Sequence, residues 1–181
     1  IMVPYGDMNG APIFTRSEQE KKICTWLTTH GVDFLYEQPY PIETANQQYR
    51  QYKPDFTIYY TVNGRRYYLF LEHFGIDVWF GEGKKGGFYE ANKEYNEGIR
   101  WKRQIHKDNK TLLIETTSAM FQDGSIYRQL ERQLNQAGVQ TRELTPEEKF
   151  KLLFERNEAM EGNVMNLFTS FISLMKSNGK T

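Results

Sequence analysis

Asp55 and Glu72 flank a stretch of chain that folds back on itself, and any chemistry they do follows from that reversal. Phe56 to Val62 and Arg65 to Phe74 are rich in Tyr, Phe, Ile, Val and Leu and are joined by Asn63-Gly64, the strongest short-range signal for a two-residue β-hairpin. Val62 then faces Arg65, and counting back along both strands sets Asp55 directly opposite Glu72. Their Cβ atoms would lie roughly 4.5 to 5.5 Å apart, where like charges destabilise a sheet. Among neighbours as apolar as Ile58, Leu69 and Leu71 that penalty grows unless a cation lies between the acids. Mg²⁺ or Mn²⁺ would relieve it, since both prefer hard oxygen ligands and keep waters that they can activate. Spacing alone supports equally well two solvated strand-end carboxylates, each bonded to a loop amide or to Arg65 or Arg66.

A helix is expected from about Phe88 to Lys107, with a possible interruption at Gly98. On a wheel advancing ~100° per residue, Lys102 and His106 share the inward stripe with Phe88, Tyr95 and Ile99. A lysine facing two acids can be their ion-pair partner, a phosphate contact, or a group that stabilises the charge of a displaced phosphate. For His106 the plainer role is a satisfied core histidine. Gly81 to Gly87 carries four glycines with Lys84 and Lys85 between them, a loop that could follow a phosphate backbone or simply be solvated. Trp101 and Tyr89 could stack on bases, although core packing is the commoner fate of helix aromatics. Gly179-Lys180-Thr181 is no phosphate-binding loop, because Leu174 stands where the first glycine belongs.

Around these residues the pattern is that of a mixed α/β layer. Ser17 and Glu20 form a capping box for a helix ending near Thr29 and Gly31. Val32 to Tyr36 reads as a strand before Pro39 and Pro41, and Thr111 to Thr117 as another. Ser125 to Ala137 is an amphipathic helix, Thr145-Pro146-Glu147-Glu148 opens a further one, and Asn163 to Lys176 is a last, apolar one. The expected division is an extension over 1–16, a body over 17–148 and C-terminal helices over 149–181. With 181 residues, 15% aromatics and equal numbers, 23 each, of basic and acidic side chains, the chain should bury a core, behave as a soluble monomer and avoid disorder. No stretch approaches the ~20 apolar residues of a membrane span. Cys24 is the only cysteine, which excludes an internal disulfide and suits a reducing cytoplasm. Zero net charge counts against wrapping DNA by charge alone. A chain opening on Ile1 and stopping at Ser177-Asn178-Gly179-Lys180-Thr181 reads as a piece of a longer protein.

Pro54-Asp55 followed by Glu72 on the next strand resembles the PD-(D/E)xK nuclease superfamily, with its restriction-endonuclease-like αβββαβ core. Tyr52-Lys53-Pro54-Asp55-Phe56, Leu71-Glu72-His73-Phe74-Gly75, Trp101-Lys102 with His106, and Thr111-Leu112-Leu113-Ile114-Glu115-Thr116 are together similar to the nuclease-type domain of bacterial UvrD/Rep-like superfamily 1 helicases of the helicase IV kind, over about Ser17 to Glu148. The resemblance implies Asp55 and Glu72 as ligands of Mg²⁺ or Mn²⁺, Glu20 as an acid that completes the site in some relatives, and DNA and the parent helicase domains as partners. Phe74 stands where the superfamily lysine belongs, and Lys102 fits a relocation of that lysine to the following helix. Two other classes stay open: a DNA-binding or regulatory module without catalysis, and a protein-interaction domain presenting the Asn163 to Lys176 face.

Overall fold

In a computed structural model, the residues described are 1–3, 6–75, 88–155, 158, 161, 162, 166, 169 and 170. They form a mixed α/β fold around a four-stranded sheet of order β1-β2-β3-β4, and elements follow as α1, β1, β2, β3, α2, β4, α3, α4. The Gly81 to Gly87 loop, with Lys84 and Lys85, lies outside the described residues, as does most of the Asn163 to Lys176 segment. The chain divides into two compact units, Ile1–Asp33 with Arg142–Thr181, and Phe34–Thr141, a division that cuts across the expected 17–148 body. Among the described residues no helix is long and apolar enough to cross a membrane.

The hairpin that places the acids forms in the expected register. β2 (Phe56–Val62) and β3 (Arg65–Phe74) pair antiparallel from Phe56 opposite Leu71 to Val62 opposite Arg65. Asn63 and Gly64 close the turn with φ of 51° and 75°, the left-handed pair that matches the twist of the flanking strands. α2 (Phe88–Asp108) then leads to β4 (Leu113–Thr117), which pairs parallel to β3 with Glu72 opposite Glu115. No interruption occurs at Gly98, since α2 runs through it. β4 starts two residues later than expected because Thr111 finishes the helix instead, its N–H donating to the His106 carbonyl. β1 (Asp33–Tyr36) borders β2. α4 (Ile126–Gln136) turns Ile126, Leu130 and Leu134 inward, the i, i+4, i+8 spacing of one buried stripe.

Between α2 and the sheet, Tyr40, Tyr52, Phe70 and Ile105 form a buried cluster against which Trp101 and Leu113 pack. In the other unit, α1 (Glu18–Thr29) buries Ile23, Cys24 and Leu27. A second helix starts at residue 146, where Thr145 and Glu148 cap each other reciprocally: the Thr145 N–H donates to Glu148 Oε2 at 2.8 Å and the Glu148 N–H to Thr145 Oγ1 at 3.2 Å.

Candidate active site

Side chains alternate across a strand, so Glu72, Phe70 and Tyr68 point to one face of β3. On that face Glu72 is fully buried. Its Oε1 accepts from the Tyr52 hydroxyl at 2.7 Å and its Oε2 from Lys102 Nζ at 2.5 Å. The helical wheel therefore aimed Lys102 correctly, at the acid. The ammonium also lies 5.8 Å from the Tyr52 ring centroid and 5.7 Å from that of Phe74, within reach of cation–π attraction. Phe74 thus forms part of the aromatic seat of the lysine that reaches Glu72.

Asp55 sits one position beyond the paired part of β2, and its Oδ2 accepts from the His73 N–H at 2.7 Å. Both carboxylates act on the same two hydroxyls. Tyr52 is pushed above the ordinary phenol range by burial first, then by Glu72 and Asp55. Tyr95 is raised by burial and the same two acids, against the Gly75 N–H and the Lys102 ammonium. Glu115, the parallel partner of Glu72, adds a third acid to the row. Arg103 grips it with Nε at 2.7 Å and Nη2 at 2.5 Å. Consecutive residues of α2 thus carry the two cations that neutralise neighbouring strands.

Behind Glu72 runs a chain of hydrogen bonds whose direction can be deduced. Tyr52 gives its proton to Glu72, so at its 3.0 Å contact with His106 Nε2 the phenol oxygen must accept. Nε2 therefore carries the imidazole proton. Burial pushes His106 down to about 4, against the pull of Glu115 and with help from Lys102, so the ring is neutral and Nδ1 accepts from Thr111 Oγ1 at 2.8 Å. Thr111 in turn accepts from the Tyr40 hydroxyl at 2.8 Å. The result is one directed line, Tyr40 to Thr111 to His106 to Tyr52 to Glu72. His106 is accordingly a buried histidine with both nitrogens engaged; it touches Glu72 only through Tyr52.

Two further expected residues, Glu20 and Trp101, have structural partners of their own, Trp101 meeting the Tyr52 ring at 5.8 Å. Glu20 belongs to the other unit and closes its own cap: its Oε1 accepts from Ser17 Oγ at 3.1 Å, its Oε2 from the Arg16 N–H at 3.0 Å, and its N–H donates to Ser17 Oγ at 3.1 Å. Trp101 is half-buried with one face covered by Tyr49, the ring centroids 4.2 Å apart and 14° from parallel. Tyr52, Thr111, Tyr40 and Glu115 were not singled out in the sequence. Tyr52, Thr111 and Glu115 left a trace there, inside the Tyr52 to Phe56 and Thr111 to Thr116 segments, and Tyr40 left none.

A divalent ion suits the donor set in kind. Mg²⁺ commonly binds through one or two carboxylates, with water or phosphate oxygens completing its shell. Each carboxylate oxygen has two lone pairs, so accepting from Tyr52 and Lys102 leaves each Glu72 oxygen one more to give. Among the described residues no group of three or more His, Cys, Asp or Glu is arranged to hold a metal. No protein-family model matches this chain, and no curated protein and no solved structure is significantly similar to it.

Proposed function

We propose that this chain is a nuclease-like domain of restriction-endonuclease-like fold that hydrolyses DNA phosphodiester bonds with Mg²⁺ or Mn²⁺, as one part of a UvrD/Rep-like DNA helicase acting in repair or recombination. The observation that carries the reading is Lys102 on Glu72: the acid on β3 has its lysine, supplied by α2. Support also comes from the element order α1, β1, β2, β3, α2, β4, the order expected of that core. Asp55 and Glu72 would hold the ion. When bound, the ion polarises a phosphoryl oxygen and lowers the pKa of a coordinated water. Lys102 holds a positive charge where negative charge develops on the phosphate. Tyr52 fixes the rotamer of Glu72, and His106 fixes Tyr52.

Asp55→Ala and Glu72→Ala are expected to abolish metal-dependent cleavage of single- and double-stranded DNA while leaving the fold intact by circular dichroism. Cleavage by either variant at the wild-type rate, or none by the parent chain with Mg²⁺ or Mn²⁺, would overturn the proposal. One observation favours a second reading, a DNA-binding module without catalysis: Glu72 is fully buried and both its oxygens already accept hydrogen bonds. Calorimetric titration with Mn²⁺ separates the two, since only the nuclease reading expects heat that disappears in Glu72→Ala.

A further inference from the structure

The half of the hairpin nearest its turn is exposed, and it is aromatic. Tyr68 is 47% and Tyr67 43% exposed, on opposite faces of β3. On the Glu72 face, Tyr59 and Tyr68 lie side by side across the strands with centroids 6.5 Å apart. Arg66 lies over the Tyr59 ring, its guanidinium carbon 4.8 Å from the centroid. Among the described residues Arg66 forms no ion pair. The aromatic row does not stop at this pair. Tyr68 meets Phe70 edge-on at 5.5 Å, and Phe70 meets Tyr40 and His106 at 5.0 Å each. A file of ring contacts therefore leads from the exposed end of the hairpin into the core, where Phe70, Tyr40 and His106 are buried beside Glu72. At ~3.4 Å per residue the four positions from Tyr68 to Glu72 span about 14 Å.

We propose that the Tyr59–Tyr68–Arg66 surface binds single-stranded nucleic acid, its bases stacked on the tyrosine rings and a phosphate held by Arg66. Exposed rings backed by a well-packed sheet offer a stacking platform that takes any base. A guanidinium above one of the rings, with no carboxylate partner among the described residues, is ready for the bidentate grip that phosphate accepts. A duplex keeps its bases stacked on each other and cannot use the rings, so the preference is for single strands. The inference rests on the nucleic-acid reading of the neighbouring carboxylates and deepens it by naming a binding surface on the same face of the sheet, and it is tested without metal or cleavage.

The test is fluorescence anisotropy of a labelled oligodeoxynucleotide against the whole 181-residue chain, in chelator, at two salt concentrations. Tyr68→Ala and Arg66→Ala are each expected to weaken binding about ten-fold, within the range of one lost base stack or phosphate contact. Tyr68→Phe, which keeps the ring, stays near wild type. Removing Arg66 also lowers the slope of log affinity against log salt by ~0.7, the share of one single-strand phosphate. Tyr67→Ala and Arg65→Ala take the same groups from the other face and are expected to leave affinity within about two-fold. Equal losses from both faces, tighter binding of duplex than of single strand, or no oligonucleotide binding at all would overturn the proposal; the last outcome would leave the patch to a protein partner. Oligonucleotide binding through this face without metal-dependent cleavage sinks the nuclease reading and spares this one. Cleavage by hairpin variants that bind as tightly as wild type does the reverse.

Discussion

Tyr52 is the residue on which the candidate site turns, because its hydroxyl gives a proton to Glu72 and takes one from His106. Tyr52→Phe keeps the ring and strands both partners, and an unpartnered buried polar group costs ~1–3 kcal/mol. A loss of about 2–3 kcal/mol in urea unfolding is expected. With it should go the Nε2–H tautomer of His106, read by ¹⁵N NMR; unchanged imidazole shifts would sink the directed line. Lys102→Met leaves Glu72 charged and fully buried, for which about 3 kcal/mol is expected, the low end because the lysine side chain is 29% exposed. Adding Glu72→Gln to that variant should restore most of the loss, and a double variant no better than the single one would count against the pair. His106 has a pH signature. Its folded value, about 4, lies below the ~6.5 of an unfolded histidine, so between these values the unfolded chain binds the extra proton and stability falls on acidification. The full effect is about 3 kcal/mol, present above pH 6.5 and gone below pH 4. A parent-minus-His106→Gln difference in urea midpoint that does not shrink from pH 7 to pH 4.5 would rule this out. Lys102 was legible because a helix repeats every 3.6 residues and the sequence displays that period. Tyr52 and His106 are 54 positions apart, and nothing periodic links a hydroxyl to an imidazole at such a distance.

Among the elements, the hairpin was the most legible, since Asn-Gly fixes the loop length and the loop length fixes every cross-strand pair. Gly64 stands at φ 75° with nothing within 4 Å of an added Cβ. Gly64→Ala therefore meets no clash and costs only the left-handed backbone, about 1–2 kcal/mol in chemical denaturation. A stabilised Gly64→Ala chain would mean that the turn had been misassigned. Both of these helix starts, at Ser17 and Thr145, were legible for the same local reason, because each signal is written within four residues. α3 (Ser118–Gln122) was not, being five residues long with no side-chain cap at Thr117. The parallel docking of β4 on β3 left no local mark, because it depends on where a 21-residue helix brings the chain back.

For the molecule as a whole, the balance of 23 basic and 23 acidic side chains conceals a local order in which Glu72 and Glu115, on neighbouring strands, meet two consecutive cations of one helix, Lys102 and Arg103. If Asp55 and Glu72 share an ion, Mn²⁺ must raise the melting temperature, since a ligand that binds only the folded chain stabilises it by mass action. A rise of a few degrees at millimolar Mn²⁺ is expected, absent from Asp55→Asn and Glu72→Gln. A wild-type curve indifferent to Mn²⁺ would remove the ion from the account. Placing Lys102 on a helix and its acid on a strand also sets what kinds of length change this architecture can absorb. The hairpin can grow or shrink by one residue on each strand, since matched additions beside the turn leave every pair from Asp55 and Glu72 outward intact. One residue added to α2 ahead of Lys102 would swing the ammonium by ~100° and leave Glu72 bare. Insertions should therefore accumulate at the turn and be purged from the helix.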